Sequence, residues 1–128
     1  MTCCKPAQDI LNLSSATMSA GGATVLPISL QTSSATLSGL EWQIAAPTGV
    51  TFVINATVEG KVLKCMSVHC ILIGGKVPIR SGSIGALTLH VPGDMHLPIT
   101  ISVVQVIGVE SDGSQRTVMG SSITIDPK

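Results

Sequence analysis

A chain of 128 residues, 45% hydrophobic and 11% charged, is long enough to form one domain that buries about two-thirds of its unfolded surface without needing a disulfide. Charged residues usually make up about a quarter of a globular chain, so here Ser, Thr, Gly, Asn and Gln must cover most of the surface. Formal charge is zero and the seven basic residues are scattered, which argues against nucleic-acid binding through counterion release.

Neutrality also removes a barrier to self-association, so a homo-oligomer is compatible with this composition. No apolar run approaches the roughly 18 residues of a membrane span. The opening Met1-Thr2-Cys3-Cys4-Lys5-Pro6 lacks the apolar core of a signal peptide. The expectation is a chain with no membrane contact, made without a secretion signal.

Residues 1–8 read as an N-terminal tail and 9–128 as a single domain. The first apolar run, 10–18, leads into Ser19-Ala20-Gly21-Gly22. Residues 23–31 alternate Leu26, Ile28 and Leu30 with Pro27 and Ser29, and a proline inside a strand points to an edge position. Strict alternation across Leu40, Trp42 and Ile44 marks a half-buried strand, and Pro47-Thr48-Gly49 is turn chemistry before the run Val50 to Ile54. These two strands are expected side by side in one wall, with the only Trp and the only Phe turned inward. Further runs follow at 61–66, 70–73, 84–91, 97–109 and 116–125, punctuated by Gly74-Gly75, Pro92-Gly93-Asp94 and Asp112-Gly113. About nine strands without helical periodicity predict an all-β, antiparallel β-sandwich with jelly-roll topology.

Cys65 and Cys70 bracket Met66-Ser67-Val68-His69, a spacing that predicts a hairpin with the two sulfurs facing each other. The Cα atoms are expected about 4.4 to 6.8 Å apart, within disulfide reach. Two reduced thiols are the alternative in a reducing compartment. Cys3 and Cys4 lie in the tail, where free thiols, an intersubunit disulfide or pairing with the hairpin cysteines all remain open. Neither cysteine pair has Cys-x-x-Cys spacing, so no metal is expected, and no cofactor motif is present.

Catalytic chemistry has little to draw on. His69, His90 and His96 read as turn or strand residues, the carboxylates are isolated, and Gly-x-Ser-x-Gly and phosphate-loop patterns are missing. No enzyme is expected. A sugar-binding platform would need exposed aromatics; the chain has no Tyr, and its Trp and Phe are expected inside. What remains is protein–protein contact. If Leu40, Trp42 and Ile44 face inward, Glu41 and Gln43 face outward, with Lys64 and His69 on the neighbouring hairpin. These four, with Cys3 and Cys4 of the tail, are the candidate partner-binding residues.

The order of these features resembles that of cohesin-like domains and, more broadly, carbohydrate-binding-module-like sandwiches. The resemblance rests on Leu11-Asn12-Leu13, on Gly21-Gly22-Ala23-Thr24-Val25, and on Leu40-Glu41-Trp42-Gln43-Ile44 followed by Gly49-Val50-Thr51-Phe52-Val53. It continues through Gly82-Ser83-Ile84-Gly85-Ala86-Leu87-Thr88-Leu89 and Val106-Ile107-Gly108-Val109 with Asp112-Gly113-Ser114. It implies a nine-stranded jelly-roll sandwich that binds protein partners, typically dockerin modules, across one sheet face. Stand-alone size, a neutral hydroxyl-rich surface and the missing secretion signal lead to one expectation: a non-enzymatic structural module attached to a larger assembly, a bacteriophage virion subunit such as a capsid decoration protein. The alternative is a secreted, extracellular cohesin that recruits dockerin-bearing enzymes into a cellulosome-like complex.

Overall fold

The computed structural model describes residues 9–14, 17–18, 21–58, 60–75 and 77–127. The tail 1–8, with Cys3 and Cys4, lies outside the described residues. Among the described residues eleven strands follow in chain order: β1 (Asp9–Leu13), β2 (Thr17–Met18), β3 (Ala23–Gln31), β4 (Leu37–Ala45), β5 (Thr51–Ala56), β6 (Val62–Met66), β7 (His69–Ile73), β8 (Gly82–His90), β9 (Ile99–Glu110), β10 (Gln115–Met119) and β11 (Ser121–Pro127). One layer is ordered β5-β8-β3-β1 and the other β6-β7-β4-β9, with β10 and β11 both pairing with β9. The layers join where β1 runs parallel to β10 and β2 runs parallel to β11. The fold is an all-β sandwich.

Two of the expected runs split, which raises the strand number above nine. The run 10–18 divides because β1 pairs with β3 and β10 whereas β2 pairs with β11. The run 116–125 breaks at Gly120, where a Cβ would collide with the Val103 carbonyl oxygen of the partner strand. Only glycine allows that close approach.

Alternation builds the core. Leu26, Ile28 and Leu30 of β3, Leu40, Trp42 and Ile44 of β4, Leu87 and Leu89 of β8, and Ile101 and Val103 of β9 are all buried. They fill the space between the layers, as inward residues of a sandwich do. Ile79, in the segment before β8, adds a buried plug and donates its N–H to the Leu37 carbonyl at 2.7 Å.

Two expectations are corrected here. The Trp42 and Phe52 strands do not share a wall: the turn at Pro47-Thr48-Gly49 carries the chain across the sandwich, so β4 and β5 belong to opposite layers. Phe52 faces inward but is only half-buried, because β5 is the last strand of its layer. Pro27 is not in an edge strand, since β3 is paired on both sides. Its missing N–H still goes unused. Ser14 donates to the Pro27 carbonyl at 3.2 Å, one place beyond the last β1–β3 pair, Leu13 with Ile28. In a strand the N–H and C=O of one residue point the same way, so the proline nitrogen faces the spot where β1 ends.

Candidate protein-binding face

Strand register decides which side chains share a surface. Glu41 lies opposite Ile71 of β7 and Ile107 of β9, and Gln43 lies opposite His69 and Val104. One strand further out, Lys64 faces Ile71, Met66 faces His69 and Val62 faces Ile73. Directly opposed residues project to the same side of a sheet. Glu41, Gln43, Lys64 and His69 therefore stand together on the face turned away from Trp42.

That face is apolar with a polar centre. Val62, Met66 and Ile73 are 54%, 82% and 41% exposed, and the partly buried Ile71 of β7 and Ile107 of β9 flank Glu41. At the centre His69 Nε2 and Glu41 Oε1 are 2.7 Å apart, a diagonal cross-strand hydrogen bond. An exposed pair of this kind adds only about 0.2 to 1 kcal/mol to stability. Its consequence is positional, because each side chain holds the other in place above the sheet.

Sequence reasoning missed Gln105. It has φ of 52°, a left-handed conformation uncommon for a residue with a side chain. The register accounts for it: Glu41 pairs with Ile107 and Gln43 with Val104, so Gln105 and Val106 together oppose Trp42. This is a β-bulge. It resets the alternation so that Val103 and Val106 are both buried while Val104 and Ile107 look outward. Gln105 is left exposed beside Gln43 and Val104. The signal was present as a phase break, two adjacent apolar pairs, Val103-Val104 and Val106-Ile107, around a single polar residue.

The other side of the β6–β7 hairpin carries the cysteines. Cys65 and Cys70 are directly paired and joined by a disulfide with a Cα separation of 4.0 Å, shorter than the expected span. The turn consists of Ser67 and Val68 alone, with Met66 and His69 closing it. In so tight a hairpin the next pair outward is the non-hydrogen-bonded one, where Cα atoms approach to about 4.5 Å. Cys70 is buried next to Trp42 and Cys65 is exposed at the sheet edge. The bond thus ties the outermost strand of the candidate face to the core.

A charged network sits where the two layers join. Asp9, 2% exposed, accepts hydrogen bonds from the Thr32 hydroxyl, the Ser33 N–H and the Arg116 guanidinium. Arg116 Nη2 reaches both Asp9 Oδ1, at 3.2 Å, and Ser33 Oγ, at 2.7 Å. Glu110 receives the Ser34 and Thr36 hydroxyls and lies 3.5 Å from Arg116 Nη1. Burial pushes the Asp9 carboxyl up, but the hydrogen bonds from Arg116, Thr32 and Ser33, with the Arg116 charge, outweigh it and hold it below the ordinary carboxylate value. Asp9 is satisfied by these partners, whereas the Ser34 and Thr36 hydroxyls both reach Glu110 Oε2 and leave Oε1 with no hydrogen-bond partner among the described residues. The arrangement pins β1 and the 32–36 loop to β9 and β10.

His90 and His96 are exposed and apart from the face. Among the described residues no group of three His, Cys, Asp or Glu side chains is placed to hold a metal ion.

No family model matches the sequence, and no curated protein matches it. Solved structures do match. A cohesin module of a Clostridium perfringens family 33 glycoside hydrolase aligns with a TM-score of 0.75 at 11% identity, covering 94% of this chain and 96% of that one. The sixth cohesin of the Acetivibrio cellulolyticus scaffoldin B, solved in complex with a dockerin, gives 0.70 at 10%, covering 94% and 100%. A non-cellulosomal cohesin of the archaeon Archaeoglobus fulgidus gives 0.74 at 11%, covering 95% and 92%. Each spans nearly the whole of both chains, and the fold they share with this protein is the cohesin sandwich.

Proposed function

We propose that this protein is a non-enzymatic protein-binding module that receives a dockerin-type partner on the outward face of β6-β7-β4-β9. The observation that carries the reading is the register that gathers Val62, Met66, Ile71 and Ile73 around the Glu41–His69 pair. An apolar patch with a fixed polar centre gives a partner area to desolvate and a group to orient against. Several cohesins of the same fold are solved with dockerins bound, which favours this reading over attachment to a virion. The Cys65–Cys70 bond fits work in an oxidising, extracellular setting.

The test is titration calorimetry against a panel of dockerin modules. At least one should bind, and the Glu41→Lys, Gln43→Lys double variant should weaken it by on the order of a hundredfold, as the loss of a central contact does. Binding to none of a broad panel, or equal binding by the variant, refutes the assignment.

A further inference from the structure

β5 ends its layer, and among the described residues it pairs with β8 alone. One bond just past its end shows which of its backbone groups are engaged: the Thr57 N–H donates to the Ile84 carbonyl at 2.9 Å. In an antiparallel ladder, residues that bond a given neighbour recur at every second position. Asn55, Val53 and Thr51 therefore aim their N–H and C=O groups at β8. Phe52, Ile54 and Ala56 aim theirs away from the sheet, and among the described residues no backbone meets them.

Exposed strand edges are usually guarded by a charge, a proline or a bulge. β6, the last strand of the opposite layer, has Lys64. The segment Thr51-Phe52-Val53-Ile54-Asn55-Ala56 has no charged residue and no proline, and its pairing with β8 runs without a bulge. Its side chains alternate, with Phe52, Ile54 and Ala56 half-buried at the border of the core and Val53 59% exposed on the outside.

We infer that this edge pairs with β5 of a second copy, antiparallel, about a twofold axis at Ile54. Opposed residues must share a face, and the free groups run from Phe52 to Ala56, so the register that uses all of them centres on Ile54. Ile54 then exchanges two hydrogen bonds with its copy, and each Phe52 exchanges two with the partner subunit's Ala56, about six in all. On the inner face the large Phe52 meets the small Ala56, and on the outer face Val53 meets Asn55. The match is to itself, which is why the occupant is a second copy and not a foreign strand. Zero formal charge leaves little long-range repulsion between copies. The contact uses the opposite layer from the docking face and stands independently of it.

Sedimentation equilibrium over rising concentration should show a monomer–dimer equilibrium that stops at twice the monomer mass. Isotope-filtered NMR should place the Hα of Val53 next to the Hα of Asn55 of the other copy. Two variants leave the β8 ladder intact. Ile54→Pro removes an N–H that β8 does not use, and the Val53→Lys, Asn55→Lys double substitution sets like charges opposite each other on the exposed side. Each should raise the dissociation constant by about tenfold or more, while far-UV circular dichroism stays that of the folded chain. A protein that remains monomeric at millimolar concentration, a dimer indifferent to both variants, or growth beyond the dimer each overturns the proposal.

Discussion

Trp42→Ala tests the packing that underlies the docking face. Trp42 is 2% exposed, lies opposite Cys70 on one side and the Gln105 bulge on the other, and is the largest side chain in the core. Truncating a buried Trp costs about 3 to 5 kcal/mol through lost transfer energy and the residual cavity. The indole Nε1 has no hydrogen-bond partner among the described residues, so the deletion also removes an unsatisfied buried donor, which relieves about 1 kcal/mol or more. The expected loss is therefore near the lower end, about 3 kcal/mol. With a urea m-value of roughly 1.5 kcal/mol/M for a chain of this size, the midpoint should fall by about 2 M. Because Trp42 is the only Trp, unfolding is followed by far-UV circular dichroism, not fluorescence. Trp42→Phe, which keeps most of the volume and drops the unpaired N–H, should cost less than about 1.5 kcal/mol. A loss below about 1 kcal/mol for Trp42→Ala refutes the core assignment, and a Trp42→Phe loss equal to it refutes the claim that the N–H is unsatisfied.

Gly120→Ala should destabilise the sandwich by more than Gly113→Ala in thermal unfolding, since a Cβ at Gly120 meets the Val103 carbonyl whereas Gly113 has open space and only a positive φ of 88° to lose. Asp9→Asn should flatten the acid limb of stability. The folded Asp9 carboxyl sits below its ordinary value, so its contribution is present above about pH 4 and is lost as pH falls through the unfolded value of about 3.9 toward the folded one. Urea midpoints measured between neutral pH and about pH 2.5 check the sign, and a variant that loses stability as steeply as the parent contradicts it. Reducing Cys65–Cys70 should cost about 2 kcal/mol in the chain-entropy account of so short a loop and speed amide exchange in β6 more than in β3. Uniform acceleration would show that the bond holds the whole domain and not the hairpin.

The sequence made the strands readable because most of them are half-buried, and a half-buried strand writes its orientation into a two-residue period. Leu40, Trp42 and Ile44 announce both the strand and its inward side. What it could not show was which strand neighbours which. The 97–109 run and the Leu40 to Ile44 run look alike, and only long-range pairing puts β9 beside β4 and sends β5 to the opposite layer. Pro27 misled for a related reason: the proline rule concerns the N–H, and β3 has a neighbour on that side that stops one residue short. Splitting at Gly120 is a contact with a distant carbonyl, invisible to local pattern. On the candidate face, Glu41 and Gln43 followed from alternation and His69 and Lys64 from the hairpin, whereas Gln105 required recognising a one-residue slip in phase. The Asp9–Arg116 pair joins residues 107 positions apart, and neither carries a local signature.

The central claim is that a partner docks on the outward face of β6-β7-β4-β9. The most direct measurement is NMR titration of the labelled protein with the dockerin that binds it best. The account predicts perturbed signals from Gln43, Met66, His69, Ile71 and Gln105, with Val25 and Thr88 on the opposite layer unchanged. Perturbations confined to the β3–β8 face, with the Glu41–His69 region silent, would contradict it.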